Sequence, residues 1–189
     1  MLSMLLEHNV PISVKNKNGQ TALNIAEESH CDELKAMLKA KIKERKEFNS
    51  LMNSCSRGDL DGVKTILKRW SQVNATNENG DSPLIVSCES EHVYIVDCLL
   101  KHGADINYQN CHKKRALDIA VGKGNSKLVE VLLRHEPSIF PDKMLLDKWC
   151  SLKIKTMLKK YIADNPDALL INHDGRLSDY IFPCLYNPK

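Results

Sequence analysis

The chain contains an internal repeat, and this repeat constrains its fold more than any other feature of the sequence. Three short segments align on a common anchor: Thr21-Ala22-Leu23, Ser82-Pro83-Leu84 and Arg115-Ala116-Leu117. The second and third anchors are 33 residues apart. A period of this length is typical of arrays in which small structural units stack side by side.

Each anchor opens a short helix, and a second amphipathic helix follows it. Thr21 and Ser82 are suited to accept a hydrogen bond at a helix N-terminus, and Pro83 fits a first helical turn that needs no donor. Spacings of three and four residues place one apolar face on the second helix, with Val93, Val96, Leu99 and Leu100 in one repeat and Leu128, Val131, Leu132 and Leu133 in the next. A helix pair of this size cannot bury both faces alone, so neighbouring pairs must stack.

The segment "NENGDSPLIVSCESEHVYIVDCLLKHGADIN" at 77–107 is the most regular copy, and Gly103 suits the left-handed position after a helix. In its period and residues it resembles the ankyrin repeat family. The resemblance implies an all-α fold, an ankyrin-repeat solenoid of stacked helix–turn–helix units with short β-hairpin-like fingers. It also implies that the chain functions by binding protein.

The repeat register predicts an array over residues 1–162. The expected repeats are 1–14 (partial), 15–46, 47–74, 75–107, 108–140 and 141–162 (a degenerate cap). Residues 163–189 form either a C-terminal extension or the start of a truncated further repeat. Because Met1 falls inside a helix in this register, we expect either that the chain is a piece of a longer protein or that its first repeat is degraded.

Two places depart from the family pattern. The anchors of the first and second full repeats are 28 residues apart, and residues 34–52 contain no glycine or proline. We therefore expect a long helix that runs almost straight into the next repeat. In the fourth repeat, Asn110, Lys113 and Arg115 stand where the family has a turn-forming Asp, a turn Gly and a capping Thr. Lys113 must either adopt a positive φ or lie in a reshaped finger.

Composition disfavours several classes of function. The formal net charge is only +3 and aromatic residues make up 5% of the chain, so a nucleic-acid site is not expected. We expect no signal peptide, because the first apolar cluster is short and is followed at once by Glu7 and His8, and no membrane span, because no apolar run is long enough. Seven scattered cysteines without a paired framework favour an intracellular compartment, cytoplasmic or nuclear.

Three cysteine–histidine pairs are candidates for reactive or metal-binding sites: Cys88 with His92, Cys98 with His102, and Cys111 with His112. The repeat register places them on different parts of the units, and structural zinc normally needs four ligands at short spacings. Adjacency of Cys111 and His112 does not supply the oriented base that a nucleophile requires. We predict no catalytic residue, no metal site and no cofactor.

Two basic clusters leave alternatives open. One includes Lys35, Lys39, Lys41, Lys43, Arg45 and Lys46, and the other Lys153, Lys155, Lys159 and Lys160. Each is either the solvated face of a helix or a docking face for an acidic partner or a phosphate-rich ligand.

In the family, partners usually lie along the concave side, which is built from finger tips and the first helix of each unit. The matching positions in this chain are Lys17, Asn18, Gln20, Glu27, Glu28, Ser56, Arg57, Glu78, Asn79, Asp81, Glu89, Ser90, Cys111, His112, Lys114 and Lys123. Their charge changes from mixed in the first full repeat, through acidic in the third, to basic in the fourth.

These observations predict a non-catalytic scaffold or adaptor that binds a protein or peptide. Two alternatives remain. The chain could be the target-recognition arm of a larger enzyme or signalling protein, such as a ligase, kinase or channel. It could also bind a phosphate ligand through the basic fourth repeat.

Overall fold

A computed structural model describes residues 14–29, 31–137 and 151–165. The described ranges contain helices and turns but no strand. The chain divides into two compact units, Met1–Ser50 and Leu51–Lys189. The helices are α1 (Ala22–Glu28), α2 (Asp32–Arg57), α3 (Leu60–Arg69), α4 (Pro83–Glu89), α5 (Val93–Lys101), α6 (Ala116–Gly122), α7 (Ser126–Arg134) and α8 (Leu152–Asp164).

Three sequence predictions lie wholly or partly outside the described residues. They are the partial repeat at 1–14, most of the first half of the cap at 141–162, and the extension at 163–189. Of the cap, α8 is described, and it packs against α7.

The N-terminal compact unit begins with a finger turn that leads into α1. Thr21 caps this helix as predicted: its Oγ1 accepts a hydrogen bond from the N–H of Asn24 at 3.4 Å, and Asn24 Oδ1 accepts one from the N–H of Thr21 at 2.9 Å. Such a reciprocal pair satisfies N–H groups that have no partner inside the helix. Ala26 of α1 and Leu38 of α2 are buried.

Helix α2 is continuous over 26 residues. It contains no glycine or proline, and the sequence at 44–47, where another repeat would have its finger turn, is Glu-Arg-Lys-Glu. Without an Asn or Gly to support a tight turn, these good helix formers continue the helix. The long helix predicted from residues 34–52 is thereby confirmed, and the predicted repeat boundary at 46/47 falls inside it.

In the C-terminal compact unit, helices pack on their pair partners and on their counterparts in the neighbouring repeats. Helix α4 packs against α5 and α6, α5 against α3 and α7, and α7 against α6 and α8. The side chains between them are fully buried and aliphatic, the largest being Leu84, Ile85, Ile95, Leu99, Leu128 and Leu132. The apolar faces predicted for α5 and α7 are therefore the faces that form the core.

Local signals at the helix ends also behave as predicted. Ser82 Oγ accepts a hydrogen bond from the N–H of Ile85 at 3.3 Å, and Pro83 occupies the first turn of α4. Gly103 has φ +84° just after α5, and the N–H of Ala104 donates to the carbonyl of Leu99 at 3.0 Å. This closes the helix in the manner common for a left-handed glycine.

Polar side chains connect successive repeats through His92 and His135. His92 Nε2 donates to the carbonyl oxygen of Ser56 at 3.1 Å, and His135 Nε2 lies 3.2 Å from Asp97 Oδ1. The pKa of Asp97 lies below its usual value, chiefly because Lys101 donates a hydrogen bond to it, with a smaller contribution from His135. Charged groups on this side of the repeats thus pair with each other.

None of the helices in the described ranges has the length and apolar character needed to cross a membrane. Even the long α2 has charged residues along its whole length.

The core register is tested by Leu99→Ala, because Leu99 is 0% exposed. We expect the free energy of unfolding to fall by about 2–5 kcal/mol, as for other buried leucines, in a denaturant titration. Tyr94→Ala on the same helix is the matched control, since Tyr94 is 81% exposed. A loss at Leu99 no larger than at Tyr94 would show that the assigned register is wrong.

Candidate partner-binding surface

Three finger turns have the same main-chain geometry. In each, the N–H of an asparagine donates to the carbonyl oxygen four residues later, from Asn16 to Gln20 at 2.9 Å, from Asn77 to Asp81 at 3.1 Å and from Asn110 to Lys114 at 3.1 Å. The carbonyl oxygen of each asparagine also accepts from the N–H three residues later. These are the short hairpin-like fingers that the sequence predicts, and they form without strands.

The asparagine side chains fix the turns from within. Asn77 Oδ1 accepts from the N–H groups of Asn79 at 3.0 Å and Asp81 at 2.8 Å. Asn110 Oδ1 does the same for His112 and Lys114, both at 3.0 Å. An aspartate could accept the same two bonds. Unlike aspartate, asparagine also has an N–H₂ group to donate.

That extra donor joins the finger of the third repeat to the finger of the fourth. These two turns, at 77–81 and 110–114, are called the third and fourth fingers. Asn110 Nδ2 donates to Asp81 Oδ1 at 2.8 Å, and this bond is buried. Tyr108 provides a second link, because its hydroxyl donates to the carbonyl oxygen of Gly80 at 2.9 Å. A buried bond to a carboxylate is stronger than one between neutral groups, so the two fingers hold each other in place.

The prediction that Asp81 is an exposed contact residue is wrong. Asp81 is only 8% exposed, and its carboxylate accepts hydrogen bonds from Asn110 and, at 3.5 Å, from Asn77. Asp81 is the last residue of the turn that Asn77 begins, and its side chain points toward the next finger instead of toward solvent. Asp81 is therefore a structural residue between two fingers.

Gly80 and Cys111 are in close contact where the third and fourth fingers meet. Gly80 has φ +72°, and a Cβ added to it would lie 2.6 Å from Cys111 Sγ. Cys111 and His112 are both exposed, with the Cys111 sulfur close to the main chain of the preceding finger. The pair occupies the finger tip, as the repeat register predicts.

Lys113 has φ +57° at the register where the other two fingers have Gly19 and Gly80. Of the two arrangements expected from sequence, the positive φ is the one that occurs. Its N–H donates to the carbonyl of Asn110 at 2.9 Å, so the turn closes as it does elsewhere. A non-glycine residue in the left-handed region is strained by about 1 kcal/mol or more.

Arg115 replaces the capping Thr at the start of α6. It has no acceptor for the helix N–H groups, but Asp118 Oδ2 accepts from the N–H of Arg115 at 2.9 Å and lies 3.9 Å from its guanidinium. Burial lowers the pKa of Arg115, and the Asp118 charge opposes that shift. Arg115 is 9% exposed, so it belongs to the fold and not to the surface.

In the N-terminal compact unit, three residues of the predicted contact set form side-chain pairs within the fold. Gln20 Nε2 donates to both carboxylate oxygens of Glu28, at 2.7 and 2.9 Å, and Glu27 lies 3.6 Å from Lys39. Lys17 and Asn18 are exposed at the finger tip.

In the C-terminal compact unit, most predicted contact residues are exposed. They are Ser56, Arg57, Glu78, Asn79, Glu89, Cys111, His112, Lys114 and Lys123. Ser90 is half-buried at the end of α4. Lys113, which the predicted set omits, is exposed between two members of that set. Its position between His112 and Lys114 in the sequence could have placed it in the predicted contact set. The binding role of these residues stays a prediction.

The three thiols on the described helices lack the features of reactive groups. Burial raises the pKa of Cys55 to about 12 and also raises that of Cys88 and Cys98. Cys98 Sγ is 3.9 Å from His102 Nδ1, but that nitrogen is 2.7 Å from the carbonyl oxygen of Cys98 and must donate to it. This contact closes the end of α5 and is not a nucleophile–base pair.

In the described part of the chain, no group of three or more His, Cys, Asp or Glu residues is placed to hold a metal ion. The basic residues of α2 are partly paired, with Lys39 near Glu27 and Lys41 3.6 Å from Glu44. Lys153, Lys159 and Lys160 on α8 are exposed. Both interpretations of these clusters remain open.

Replacing Lys113 with glycine tests the strain at the fourth finger. We expect Lys113→Gly to raise the free energy of unfolding by about 0.5–1 kcal/mol, because glycine adopts a positive φ without steric cost. Lys114→Ala, one residue on, is the control and should change stability by less than about 0.5 kcal/mol. Destabilisation by Lys113→Gly in thermal and denaturant unfolding would contradict the left-handed assignment.

Comparison with known proteins agrees with this geometry. Residues 51–143 match the family profile described as ankyrin repeats, in three copies. The B-cell lymphoma 3 protein homolog of Mus musculus is 28% identical over 144 residues, which cover 71% of this chain and 32% of that protein. Oxysterol-binding protein-related protein 1 of Homo sapiens is 29% identical over 128 residues, 62% of this chain and 13% of that protein.

A third relative is ankyrin repeat and SOCS box protein 11 of Mus musculus. It is 33% identical over 86 residues, which cover 44% of this chain and 25% of that protein. The chain thus spans about a third of the length of the first relative and smaller shares of the other two.

Ankyrin repeats are generally non-catalytic modules for protein–protein interaction. The matched profile, the relatives and the stacked helix pairs with their finger turns show that this chain belongs to the ankyrin repeat family.

Proposed function

We propose that the chain is a non-catalytic scaffold or adaptor that binds a segment of a partner protein along its finger surface. The finger surface is defined here as the exposed side chains of the third and fourth fingers and of the ends of α4 and α6: Glu78, Asn79, Glu89, His112, Lys113, Lys114 and Lys123. The observation that supports this proposal is the fixed main chain beneath exposed side chains.

The main chain of both fingers is held by their asparagines and by the buried bond from Asn110 to Asp81. A partner that contacts these fingers would therefore order little backbone, and pre-organisation of this kind lowers the entropic cost of association. Exposed side chains on a rigid scaffold are also the usual arrangement of binding residues.

On the second helices of the same repeats, several charged side chains pair with each other. Asp97 pairs with Lys101 at 2.6 Å on α5, and Glu130 pairs with Arg134 at 3.4 Å on α7. In contrast, His112, Lys113, Lys114 and Lys123 have no ion-pair partner among the residues described. Charged groups that are unpaired within the fold are available to a partner, and the finger surface has four such groups.

A second candidate is a target-recognition arm of a larger enzyme or signalling protein. It is supported by relatives whose names include further modules or activities, such as a SOCS box or oxysterol binding, and of which the match covers only part. Both candidates use the same finger surface. They differ in what the natural polypeptide contains besides the repeats.

Site-specific photo-crosslinking tests the proposed surface. A photoreactive amino acid at Asn79 or His112 should yield adducts with the same partner in cells. The matched controls are Lys101 and Lys127, which are also exposed but lie on the second helices. Adducts that form equally well from the control positions, or only from them, would exclude the finger surface.

A charge reversal provides an independent check. Glu78→Lys with Glu89→Lys should reduce recovery of the crosslinked partner, because complementary charge governs encounter rate and specificity. Asp81 is left unchanged, since its replacement would remove the buried acceptor of Asn110. Unaltered recovery by a folded double variant would mean that the acidic part of the finger surface is not used.

A further inference from the structure

The fourth repeat is basic at positions where the third is not. At five matched positions the third repeat has Glu78, Asn79, Gly80, Asp81 and Ser90, and the fourth has Cys111, His112, Lys113, Lys114 and Lys123. The main-chain bonds of the two fingers are the same, so the difference lies in the side chains alone. The fourth repeat gains three lysines and a histidine on one rigid frame.

The lysine at position 113 stands in a backbone conformation that favours glycine. Glycine occupies this register in the other two fingers, and the positive φ of Lys113 is the same conformation. Strained residues that the surrounding structure holds in place are often found at binding sites. The side chain of Lys113 is exposed and does not take part in the core, which points to a use for its charge in solution.

The site has the chemistry of a receptor for carboxylates. Its cations are lysines, which act as point charges with flexible stems. Arg115, whose planar guanidinium could pair with a carboxylate or a phosphate, is buried and lies next to Asp118, so lysines supply the positive charge that a partner can reach. The aromatic residue of this finger, Tyr108, is half-buried and donates its hydroxyl to Gly80, so it provides no exposed face on which a nucleic-acid base could stack.

We infer that the fourth finger binds an acidic peptide segment, rich in Asp or Glu, whose carboxylates contact His112, Lys113, Lys114 and Lys123. This inference rests on the proposed function and specifies the chemistry of the partner. Glu89, at the end of α4, is exposed and negatively charged on the preceding repeat. It orients the bound segment, with the acidic part on the fourth repeat and neutral or basic residues toward the third.

The test is a titration of the isotope-labelled chain with octaglutamate, followed by NMR at low ionic strength. We expect amide shifts at 112–114 and 123. The lysines of α2 at 35–46 and of α8 at 153–160 serve as internal controls, because they are also basic but lie on helix surfaces. Shifts of equal size in all three clusters would show unspecific charge attraction and overturn the inference, as would the absence of shifts at 112–114.

Lys113→Gly separates binding from folding. This variant should have a raised Tm and yet bind octaglutamate about two- to fivefold more weakly, the effect of losing one exposed ion pair. The control Lys127→Ser, on α7, should leave the affinity unchanged. Unaltered octaglutamate affinity in Lys113→Gly would contradict a binding role for this lysine.

Three further ligands define the specificity. Octaglutamine should not bind, and an octamer of phosphoserine–glycine repeats or a single-stranded DNA octamer should bind more weakly than octaglutamate. Tighter binding of the phosphopeptide or the DNA at 112–114 would overturn the acidic-peptide assignment. If crosslinks form at Asn79 and His112 while octaglutamate fails, partner binding stands and only its acidic character is refuted.

Discussion

The structure of the C-terminal compact unit depends on burial of apolar faces between successive helix pairs. A pair such as α4 and α5 leaves one apolar face without cover, and α6 and α7 of the next repeat provide it. Leu84, Leu99 and Leu132 lie in these contacts and are fully buried. Because the contact recurs with the repeat, it also sets the spacing of the fingers. The bond from Asn110 to Asp81 then fixes two neighbouring fingers at that spacing.

Much of the fold could be predicted from the sequence because its signals are local or periodic. The caps by Thr21 and Ser82, the left-handed Gly103 and the apolar faces of α5 and α7 each depend on residues a few positions apart. The long α2 followed from the absence of glycine and proline between its ends. Even the conformation of Lys113 was one of two stated alternatives, because the register placed it at a glycine position.

The candidate site was harder to predict because exposure in a finger is decided by the neighbouring repeat. From the sequence alone, Asp81 is expected at the surface. In the structure it is buried against Asn110, which lies 29 residues later in the chain. In the same way, Gln20 bonds to Glu28 and Glu27 pairs with Lys39 only once the chain has folded back. The asparagine at the start of each finger was the missed signal, since it offers a donor that the family's aspartate lacks. The positive charge of the fourth finger, in contrast, could be predicted directly from the sequence at 112–114.

The central claim is that the finger surface is preformed, with exposed side chains on a main chain that the fold holds rigid. Native-state hydrogen exchange at the amides of Asp81 and Lys114 measures this most directly, because Asn77 and Asn110 side chains accept their hydrogen bonds. Exchange slower than in an unstructured peptide by on the order of 100-fold is the predicted result. Exchange at the unstructured rate would show that the fingers order only when a partner binds, and would contradict the account.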